Sequence, residues 1–210
     1  MISRILFQGD SITDADRSRE ENLPLGKGLG TGYPHLAVSR LITDDPGRPW
    51  VIWNRGISGN HVPALYGRWE KDALDLKPDL ISILIGINDT NRKFGVEISR
   101  FEKVYSDLLS WTKKTLPETE MVLMEPFCFC FGEVDEAREK DVKERGKIVK
   151  KLAEEFHALF LPCQSILDKA LERAPKEFWL RDGMHPNPAG HQLLADAWIE
   201  AAKDLLGLSR

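Results

Sequence analysis

Residues 80–86, with the sequence LISILIG, are the stretch that decides the fold class. Apart from Ser82, every residue before Gly86 is a large aliphatic one, and polar residues do not alternate with apolar ones. A strand with one face in water alternates between apolar and polar side chains, whereas a strand covered on both faces is apolar along its length. The stretch therefore predicts a strand of a parallel sheet with helices on both faces.

Other short apolar runs repeat this strand signal and are separated by helical patterns. The further predicted strands are residues 5–7, 50–53, 121–124 and 159–161. The predicted helices carry apolar residues at intervals of three and four; they are residues 61–76, 99–116 and 136–156 and a last helix that follows Asn187. This alternation of strands and helices predicts an α/β protein built on a parallel sheet.

The last helix carries the clearest boundary signals. Asn187 is the predicted N-cap, Pro188 the first helical residue and Gly207 the residue that closes the helix. Its predicted apolar stripe consists of Leu193, Leu194, Ala197, Trp198, Ala201 and Leu205. The stripe predicts an amphipathic helix with one face in the core.

Length and charge narrow the class of protein. A chain of 210 residues predicts one domain, residues 1–210, because domains commonly have about 100–200 residues. The net charge of −4 argues against nucleic acid or an anionic membrane as the main partner. No apolar run approaches the roughly 18 residues of a membrane-spanning helix. The odd number of cysteines and the absence of a secretion signal predict reduced thiols in the cytoplasm.

The sequence predicts neither a metal nor an organic cofactor. Cys128 and Cys130 have no second pair of Cys or His nearby, which a zinc site requires, and Cys163 stands alone. The chain has neither the dinucleotide-binding fingerprint nor a Walker motif. The cysteines are therefore interpreted as ordinary apolar residues.

Polar clusters follow the first three predicted strands. They are residues 9–11 (GDS), 54–60 (NRGISGN) and 86–89 (GIND). The carboxyl ends of parallel strands meet at one edge of a sheet, and ligands of open parallel sheets bind beyond that edge. We therefore expect the three clusters to form one site.

A serine hydroxyl at this edge becomes a nucleophile only when a base takes its proton. The candidate base and its acid lie in residues 181–191 (RDGMHPNPAGH), where Asp182 and His185 are three residues apart around a glycine. A turn there lets Asp182 orient one imidazole nitrogen while the other faces Ser11. The backbone amides of Ser11 and Gly59 and the side-chain amide of Asn88 are the candidate donors to an oxyanion.

Each feature also has a purely structural interpretation. Gly-Asp-Ser after a strand is a common turn with a helix cap, and Asp182 and His185 fit a surface turn. His191 is expected on the exposed face of the last helix rather than as a base. The joint occurrence of all these elements favours catalysis.

Four blocks of the sequence, in this order, resemble those of the SGNH (GDSL-type) hydrolase family. The blocks are GDSIT (9–13), NRGISGN (54–60), GIND (86–89) and DGMHP (182–186). The resemblance spans nearly the whole chain. It implies a flavodoxin-like, three-layer α/β/α sandwich with a central parallel sheet of about five strands.

The resemblance also implies a role for each candidate residue. Ser11 resembles the nucleophile, and Asp182 and His185 resemble the rest of the triad. Ser11, Gly59 and Asn88 resemble the oxyanion hole. Asp10 is interpreted as a structural residue that holds the turn before Ser11.

The implied activity is that of a serine esterase that forms an acyl-enzyme and needs no cofactor. Its partner is a small-molecule ester. Residues 14–37 resemble a branch of the family that includes carbohydrate acetylesterases such as acetylxylan esterases, and the charged and glycine residues at 17–32 suit a polar alcohol. An acetylated sugar is therefore the predicted substrate.

Two other functions stay open. A lipid-directed esterase, a lysophospholipase or a thioesterase can use the same triad, with residues 124–134 (MEPFCFCFGEV) lining an acyl pocket; the same residues can instead cover the core or a contact between subunits of a homo-oligomer. A non-catalytic binding protein should lack a catalytic element, yet every element is present. Trp179 either stacks on a sugar ring or packs in the core.

Overall fold

A computed structural model describes residues 2–20, 27–90 and 95–208 of the chain. The five strands are β1 (Arg4–Gly9), β2 (Val51–Asn54), β3 (Leu80–Leu84), β4 (Glu120–Met124) and β5 (Leu159–Leu161). They form one parallel sheet in the order β2-β1-β3-β4-β5. This is the flavodoxin-like order, and it confirms the predicted fold class.

Helices connect the strands and cover both faces of the sheet. The α-helices of the described residues are α1 (Ser11–Asp14), α2 (Tyr33–Asp44), α3 (Val62–Gly67), α4 (Trp69–Asp72), α5 (Ile98–Thr115), α6 (Glu136–Glu155), α7 (Cys163–Ala170), α8 (Lys176–Trp179) and α9 (Pro188–Leu206). None of these helices is long and apolar enough to cross a membrane.

Neighbouring residues of a strand belong to different cores. Phe7 lies in the core shared with α2, α7 and α9, whereas Leu6 lies in the core shared with α3, α5 and α6. Every residue of β3 is buried, as the continuous apolar run LISIL predicts. The sheet is therefore the middle one of three layers.

Residues 61–76 do not form the single helix that their periodicity predicts. They form α3 and α4, followed by a 3₁₀ turn at Leu74–Leu76. The break lies at Arg68, whose backbone leaves the helical region (φ −114°, ψ 5°) directly after Gly67, a poor helix former. The Arg68 side chain instead donates hydrogen bonds to Gln8 and Asn60 beneath the candidate site.

The last helix begins and ends where predicted, and its predicted apolar stripe packs against the core. Asn187 is the N-cap and Gly207 closes the helix in the left-handed region (φ 61°). The Asn187 side chain makes no cap; it donates to the carbonyls of Glu177 and Phe178. The buried residues are Gly190, Leu194, Ala195, Trp198, Ala202 and Leu206. Leu194 and Trp198 of the predicted stripe are among them. The other four stripe residues, Leu193, Ala197, Ala201 and Leu205, are half-buried and pack against the same core.

The strand order determines where a ligand can bind. β1 pairs with β2 on one side and with β3 on the other, so the chain reverses direction across the sheet between β1 and β3. Open parallel sheets bind ligands outside the carboxyl ends of the strands at such a switch point. Residues 9–11 and 86–89 follow the two strands that flank it.

Candidate active site

Ser11 is the first residue of α1, directly beyond the end of β1. Asp10 is the N-cap, and its Oδ1 accepts the Ile12 N–H at 3.0 Å. Gly9 allows this sharp exit from the strand, because a Cβ there would collide with the Leu84 carbonyl and the Thr13 hydroxyl. Gly9 and Asp10 thus have structural roles: together they shape the turn that places Ser11 at the edge of the sheet.

His185 lies against Ser11 although 174 residues separate them in the chain. The Ser11 Oγ and His185 Nε2 atoms are 2.8 Å apart, and His185 Nδ1 is 2.7 Å from Asp182 Oδ2. Asp182 Oδ1 accepts the backbone N–H of His185 at 2.8 Å and that of Met184 at 3.1 Å. The three side chains form one continuous hydrogen-bonded series.

The environment of Asp182 favours its charged form. Burial alone raises the pKa of a carboxyl, but here the hydrogen bonds from the His185 backbone, the His185 ring and the Met184 backbone outweigh burial and lower the pKa of Asp182. The acid is therefore ionised at neutral pH and can orient the imidazole through Nδ1–H.

The loop 125–134 supports the turn that carries Asp182 and His185. The Phe129 N–H donates to the Gly183 carbonyl at 2.8 Å, and the Glu133 N–H donates to the Asp182 carbonyl at 2.9 Å. Gly183 has φ 95°, and a Cβ there would lie 2.7 Å from the Phe129 carbonyl oxygen. Only a glycine lets the two loops approach so closely.

This apolar loop therefore covers the core, one of the three roles that the sequence left open. Phe127, Cys128 and Phe129 are buried in the core on the α9 side of the sheet. The cleft in front of Ser11 is lined by residues outside the loop. Trp179 is also a core residue: it is 3% exposed and its Nε1 donates to the Ala174 carbonyl.

The candidate oxyanion donors lie in the loops after β2 and β3. Gly59 is exposed and has φ 80°. Its neighbour Ser58 lines the cleft with Ser11, and the Ser58 N–H donates to Asp14 Oδ2 at 2.9 Å. Asn88 Nδ2 donates one hydrogen to the Asn60 carbonyl at 3.0 Å, which fixes the orientation of the amide and leaves its second hydrogen for a ligand.

Buried polar side chains, whose roles the sequence analysis did not identify, join the three loops. Asn54 Nδ2 donates to the carbonyls of Thr13 (2.6 Å) and Leu29 (2.9 Å), while its Oδ1 accepts the Gly56 N–H. Asp89 accepts the Val62 N–H with both carboxyl oxygens. Asn54 lies in the block NRGISGN and Asp89 in the block GIND. Their positions after predicted strands were the sequence signal for a buried hydrogen-bond network.

Two buried acids near Ser11, Asp10 and Asp89, have perturbed pKa values. Burial and, to a smaller extent, the negative charge of Asp89 raise the pKa of Asp10 to about 7, against the opposing hydrogen bond from the Ile12 N–H. Burial likewise raises the pKa of Asp89 to about 6. The second carboxyl oxygen of Asp10 is buried and has no hydrogen-bond partner among the described residues.

The cleft in front of Ser11 has a volume of about 480 Å³. Its wall consists of Ser11, Ile12, Asp14, Ala15, Asp16, Thr31, Ser58, Arg181, His185, Pro186, Asn187, Pro188 and His191. Most of these side chains are polar, and the apolar ones are of small or moderate size. Of the residues at 17–32 that we expected to suit a polar alcohol, Thr31 lies in this wall. Arg17 instead donates to the Gly56 carbonyl at 2.8 Å, and residues 21–26 lie outside the described residues.

His191 does not lie on the exposed face of α9, which corrects the expectation from sequence. Its ring is half-buried in the cleft wall, and its Nδ1 accepts the Tyr33 N–H at 3.2 Å. The reason is that α9 packs against the start of α2, so that the first turn of α9 faces a neighbouring helix rather than solvent.

The acidic, histidine and cysteine side chains of the described residues form no group of three that could hold a metal ion. The three cysteines are unpaired, and Cys128 and Cys163 are buried. Burial raises the pKa of both thiols, to about 12 for Cys128. These thiols therefore carry their protons at neutral pH and are poor nucleophiles.

Known proteins are similar to this chain over most of its length. A family model described as the GDSL-like lipase/acylhydrolase family matches residues 7–193. An acetylxylan esterase from Geobacillus stearothermophilus is 37% identical over 202 residues, which cover 93% of this chain and 92% of that protein.

Solved structures resemble the whole fold. A protein from Parabacteroides merdae, assigned as a GDSL-like lipase, is 40% identical and superposes with a TM-score of 0.91 over 98% of this chain and 95% of that one. The Geobacillus stearothermophilus esterase superposes with a TM-score of 0.85 over 95% of this chain and 93% of that one, at 35% identity. Its catalytic mutants replace a serine, an aspartate or a histidine with alanine, and that aspartate and histidine are three residues apart.

Proposed function

Because this chain belongs to the GDSL-like lipase/acylhydrolase family and is a carboxylic ester hydrolase, we propose that it removes acetyl groups from carbohydrates, with Ser11, His185 and Asp182 as its catalytic triad. The observation that carries the proposal is the continuous hydrogen-bonded series from Ser11 Oγ through the His185 ring to Asp182, with separations of 2.8 and 2.7 Å. The same spacing of aspartate and histidine in the relative's catalytic mutants supports it.

The chemistry follows from this series. Ser11 Oγ attacks the ester carbonyl carbon while His185 Nε2 takes the hydroxyl proton. The imidazolium is stabilised by ionised Asp182 and then gives the proton to the leaving alcohol. Water attacks the acyl-enzyme with His185 again as base, so that the carboxylic acid leaves and Ser11 regains its proton.

The negative oxygen that forms during both attacks needs fixed donors. We assign the Ser11 N–H, the Gly59 N–H and the free amide hydrogen of Asn88 to this oxyanion hole. The Ser11 N–H has no acceptor within its own helix because it is the first of α1. Asn88 is held by Asn60 before substrate arrives, and a preorganised donor of this kind stabilises the transition state without a cost of reorientation.

The cleft supports a polar alcohol and a short acyl group rather than a lipid. Pockets of roughly 300–1,000 Å³ take small-molecule ligands, and the cleft has about 480 Å³. Its polar residues include Asp16, Thr31 and Asn187, which can exchange hydrogen bonds with sugar hydroxyls. The lipid-directed alternative relied on residues 124–134, which pack over the core and outside the cleft wall.

A substrate panel tests the substrate class. We expect kcat/KM on p-nitrophenyl esters to fall as the acyl chain lengthens from acetate to octanoate, and acetate to be released from acetylated xylose and xylan. A preference for octanoate, together with no acetate released from acetylated sugars, would reject the carbohydrate proposal in favour of the lipid-directed esterase.

A second experiment tests the nucleophile. A serine-directed phosphonate should label Ser11, and Ser11→Ala should abolish both labelling and ester hydrolysis with little change in Tm, because the half-buried side chain is small. Ser110→Ala is the matched control, since Ser110 is an exposed serine on α5 and lies outside the cleft wall. Full activity of Ser11→Ala, with the label on another serine, would contradict the assignment.

We extend the proposal to the whole chain as one hydrolase domain, since α9 at its end packs against α2 near its beginning. The cytoplasmic location and the assembly state stay predictions.

A further inference from the structure

Two histidines, His185 and His191, line the cleft, and their hydrogen bonds select opposite tautomers of the two imidazole rings. His185 Nδ1 faces the Asp182 carboxylate and therefore carries a proton, which leaves Nε2 as the acceptor for Ser11. His191 Nδ1 faces the Tyr33 backbone N–H at 3.2 Å and must therefore be an acceptor. A neutral imidazole carries one proton, so that of His191 is on Nε2.

The bond from Tyr33 has a structural reason that keeps the His191 ring in place. Tyr33 is the first residue of α2, and the N-cap Gly32 has no side chain to accept an N–H of the first turn. His191, from the neighbouring helix α9, supplies that acceptor. A Cβ at residue 32 would lie 3.0 Å from His191 Cε1 and 2.7 Å from Ala15 Cβ, so the glycine is what leaves room for the ring.

The surroundings also keep His191 neutral. Burial, with smaller contributions from the positive charge of Arg181 and from His185 when it is protonated, lowers the pKa of His191 to about 4. The His191 ring is therefore uncharged, with Nε2–H as a donor, over the whole pH range in which a serine esterase works. It cannot replace His185 as the base, because Nε2 has no lone pair in this tautomer.

We propose that His191 is a substrate-binding residue whose Nε2–H donates a hydrogen bond to an oxygen of the leaving alcohol, so that it selects alcohols rich in oxygen over plain aryl or alkyl alcohols. The inference rests on the proposed function and deepens it. His191 and Ser11 line the same cleft, and no described residue accepts a hydrogen bond from Nε2 of the His191 ring. A sugar offers a ring oxygen and hydroxyls as acceptors beside the ester, whereas phenol offers none.

Two amide substitutions separate this role from the capping of α2. His191→Asn places a side-chain amide near the position of Nδ1, so it can still accept the Tyr33 N–H but cannot reach as far as Nε2. His191→Gln places its amide nitrogen near the position of Nε2, so it retains a donor to the cleft but loses the acceptor for Tyr33. Gln192→Ala, an exposed neighbour on α9, is the control.

The readout is the ratio of kcat/KM on xylose tetraacetate to kcat/KM on phenyl acetate, together with Tm. One neutral hydrogen bond predicts a fall of about three- to tenfold in this ratio for His191→Asn, mainly through KM on the sugar ester, with Tm close to wild type. His191→Gln should keep the ratio within about twofold of wild type and lower Tm by about 2–4 °C, because α2 loses its cap.

An unchanged ratio in His191→Asn, or an equal loss on both esters, would overturn the inference and leave His191 as a cap alone. A long-range proton–nitrogen NMR spectrum of the wild type adds a test that needs no variant, since a proton on His191 Nδ1 would also overturn it. If the wild-type protein hydrolyses neither ester, it is the proposed function that is wrong, and the inference falls with it.

Discussion

Asp182 binds His185 at two points. Its Oδ1 accepts the His185 backbone N–H at 2.8 Å, and its Oδ2 lies 2.7 Å from Nδ1 of the same residue's ring. The first bond determines the shape of the turn, and the second determines the tautomer and the orientation of the ring. One carboxylate thus both stabilises the loop and orients the imidazole of the proposed base.

The two roles of Asp182 can be separated by Asp182→Asn. The amide oxygen can still accept the backbone N–H, so we expect the loop and Tm to be largely retained. The amide nitrogen would face Nδ1 and favour the tautomer with its proton on Nε2, which cannot take the Ser11 proton. We expect kcat on p-nitrophenyl acetate to fall by about 10⁴. Asp204→Asn, on the exposed side of α9, should leave kcat unchanged. A loss below tenfold in Asp182→Asn would show that another group orients the ring.

Asn88→Ala removes one of the proposed oxyanion donors. Loss of such a donor costs about 10²–10³ in kcat, because the hydrogen bond strengthens when the carbonyl oxygen becomes negative. KM should change much less, since the ground-state carbonyl carries little charge. Steady-state kinetics on p-nitrophenyl acetate, with Tm as the check on folding, give both values. A large rise in KM at unchanged kcat would make Asn88 a residue that positions the substrate instead.

Gly183→Ala tests whether the loop 125–134 supports the catalytic turn. Gly183 has φ 95°, and an added Cβ would collide with the carbonyls of Phe129 and Phe131. The turn must then shift, and a displacement of about 1 Å at His185 can cost about 10² in kcat. Gly207→Ala is the matched control, because Gly207 is also left-handed (φ 61°) but has open space around its Cα.

The control variant Gly207→Ala should lose stability but not activity. We expect Gly207→Ala to cost about 1–2 kcal/mol from its backbone conformation and to keep kcat at the wild-type value. Equal kcat values for the two variants would mean that the catalytic turn does not depend on its contact with residues 125–134.

Asp10→Asn tests the buried acid beneath Ser11. The pKa of Asp10 is about 7 in the folded protein, whereas an exposed aspartate has a pKa of about 3.9, so the folded state holds a proton that the unfolded state has released between these values. The free energy of unfolding therefore decreases as pH rises from about 4 to 7. Asparagine keeps the oxygen that accepts the Ile12 N–H and has no charge to bury.

The variant should consequently gain stability relative to wild type as pH rises. A tenfold change in a protonation equilibrium corresponds to about 1.4 kcal/mol, or about 3–5 °C in Tm for a domain of this size. We expect the Tm of Asp10→Asn minus that of wild type to be larger at pH 8 than at pH 5 by at least this amount. An equal difference at both pH values would contradict the perturbed pKa.

Local patterns were sufficient to predict the sheet. The run LISILIG identified β3 as a strand covered on both faces, because burial on two sides removes the polar alternation that water imposes. Boundary signals located α9 between Asn187 and Gly207 for a similarly local reason: the backbone groups at helix ends need caps. The order of the four blocks was enough to identify the family.

The same local patterns gave wrong predictions where the local structure or the exposure of a residue depends on contacts with residues distant in sequence. Residues 61–76 have helical periodicity throughout, yet the Arg68 side chain turns to Gln8 and Asn60 and the helix breaks there. His191 has the spacing of an exposed helical residue, but α2 covers that face of α9. Periodicity states which side chains share a face; it does not state what packs against that face.

By itself, the sequence determined the strands, the turn after β1 that leads to Ser11, and the three-residue spacing of Asp182 and His185. These features depend on residues that are near neighbours in the chain. Only the tertiary structure decided that His185 meets Ser11 across 174 residues, that residues 125–134 cover the core and support the turn with Asp182 and His185, and that Trp179 packs inside. Those outcomes depend on the packing of α9 against α2 and the sheet. Such packing minimises the exposed apolar surface of the whole chain, and no short stretch of sequence contains that information.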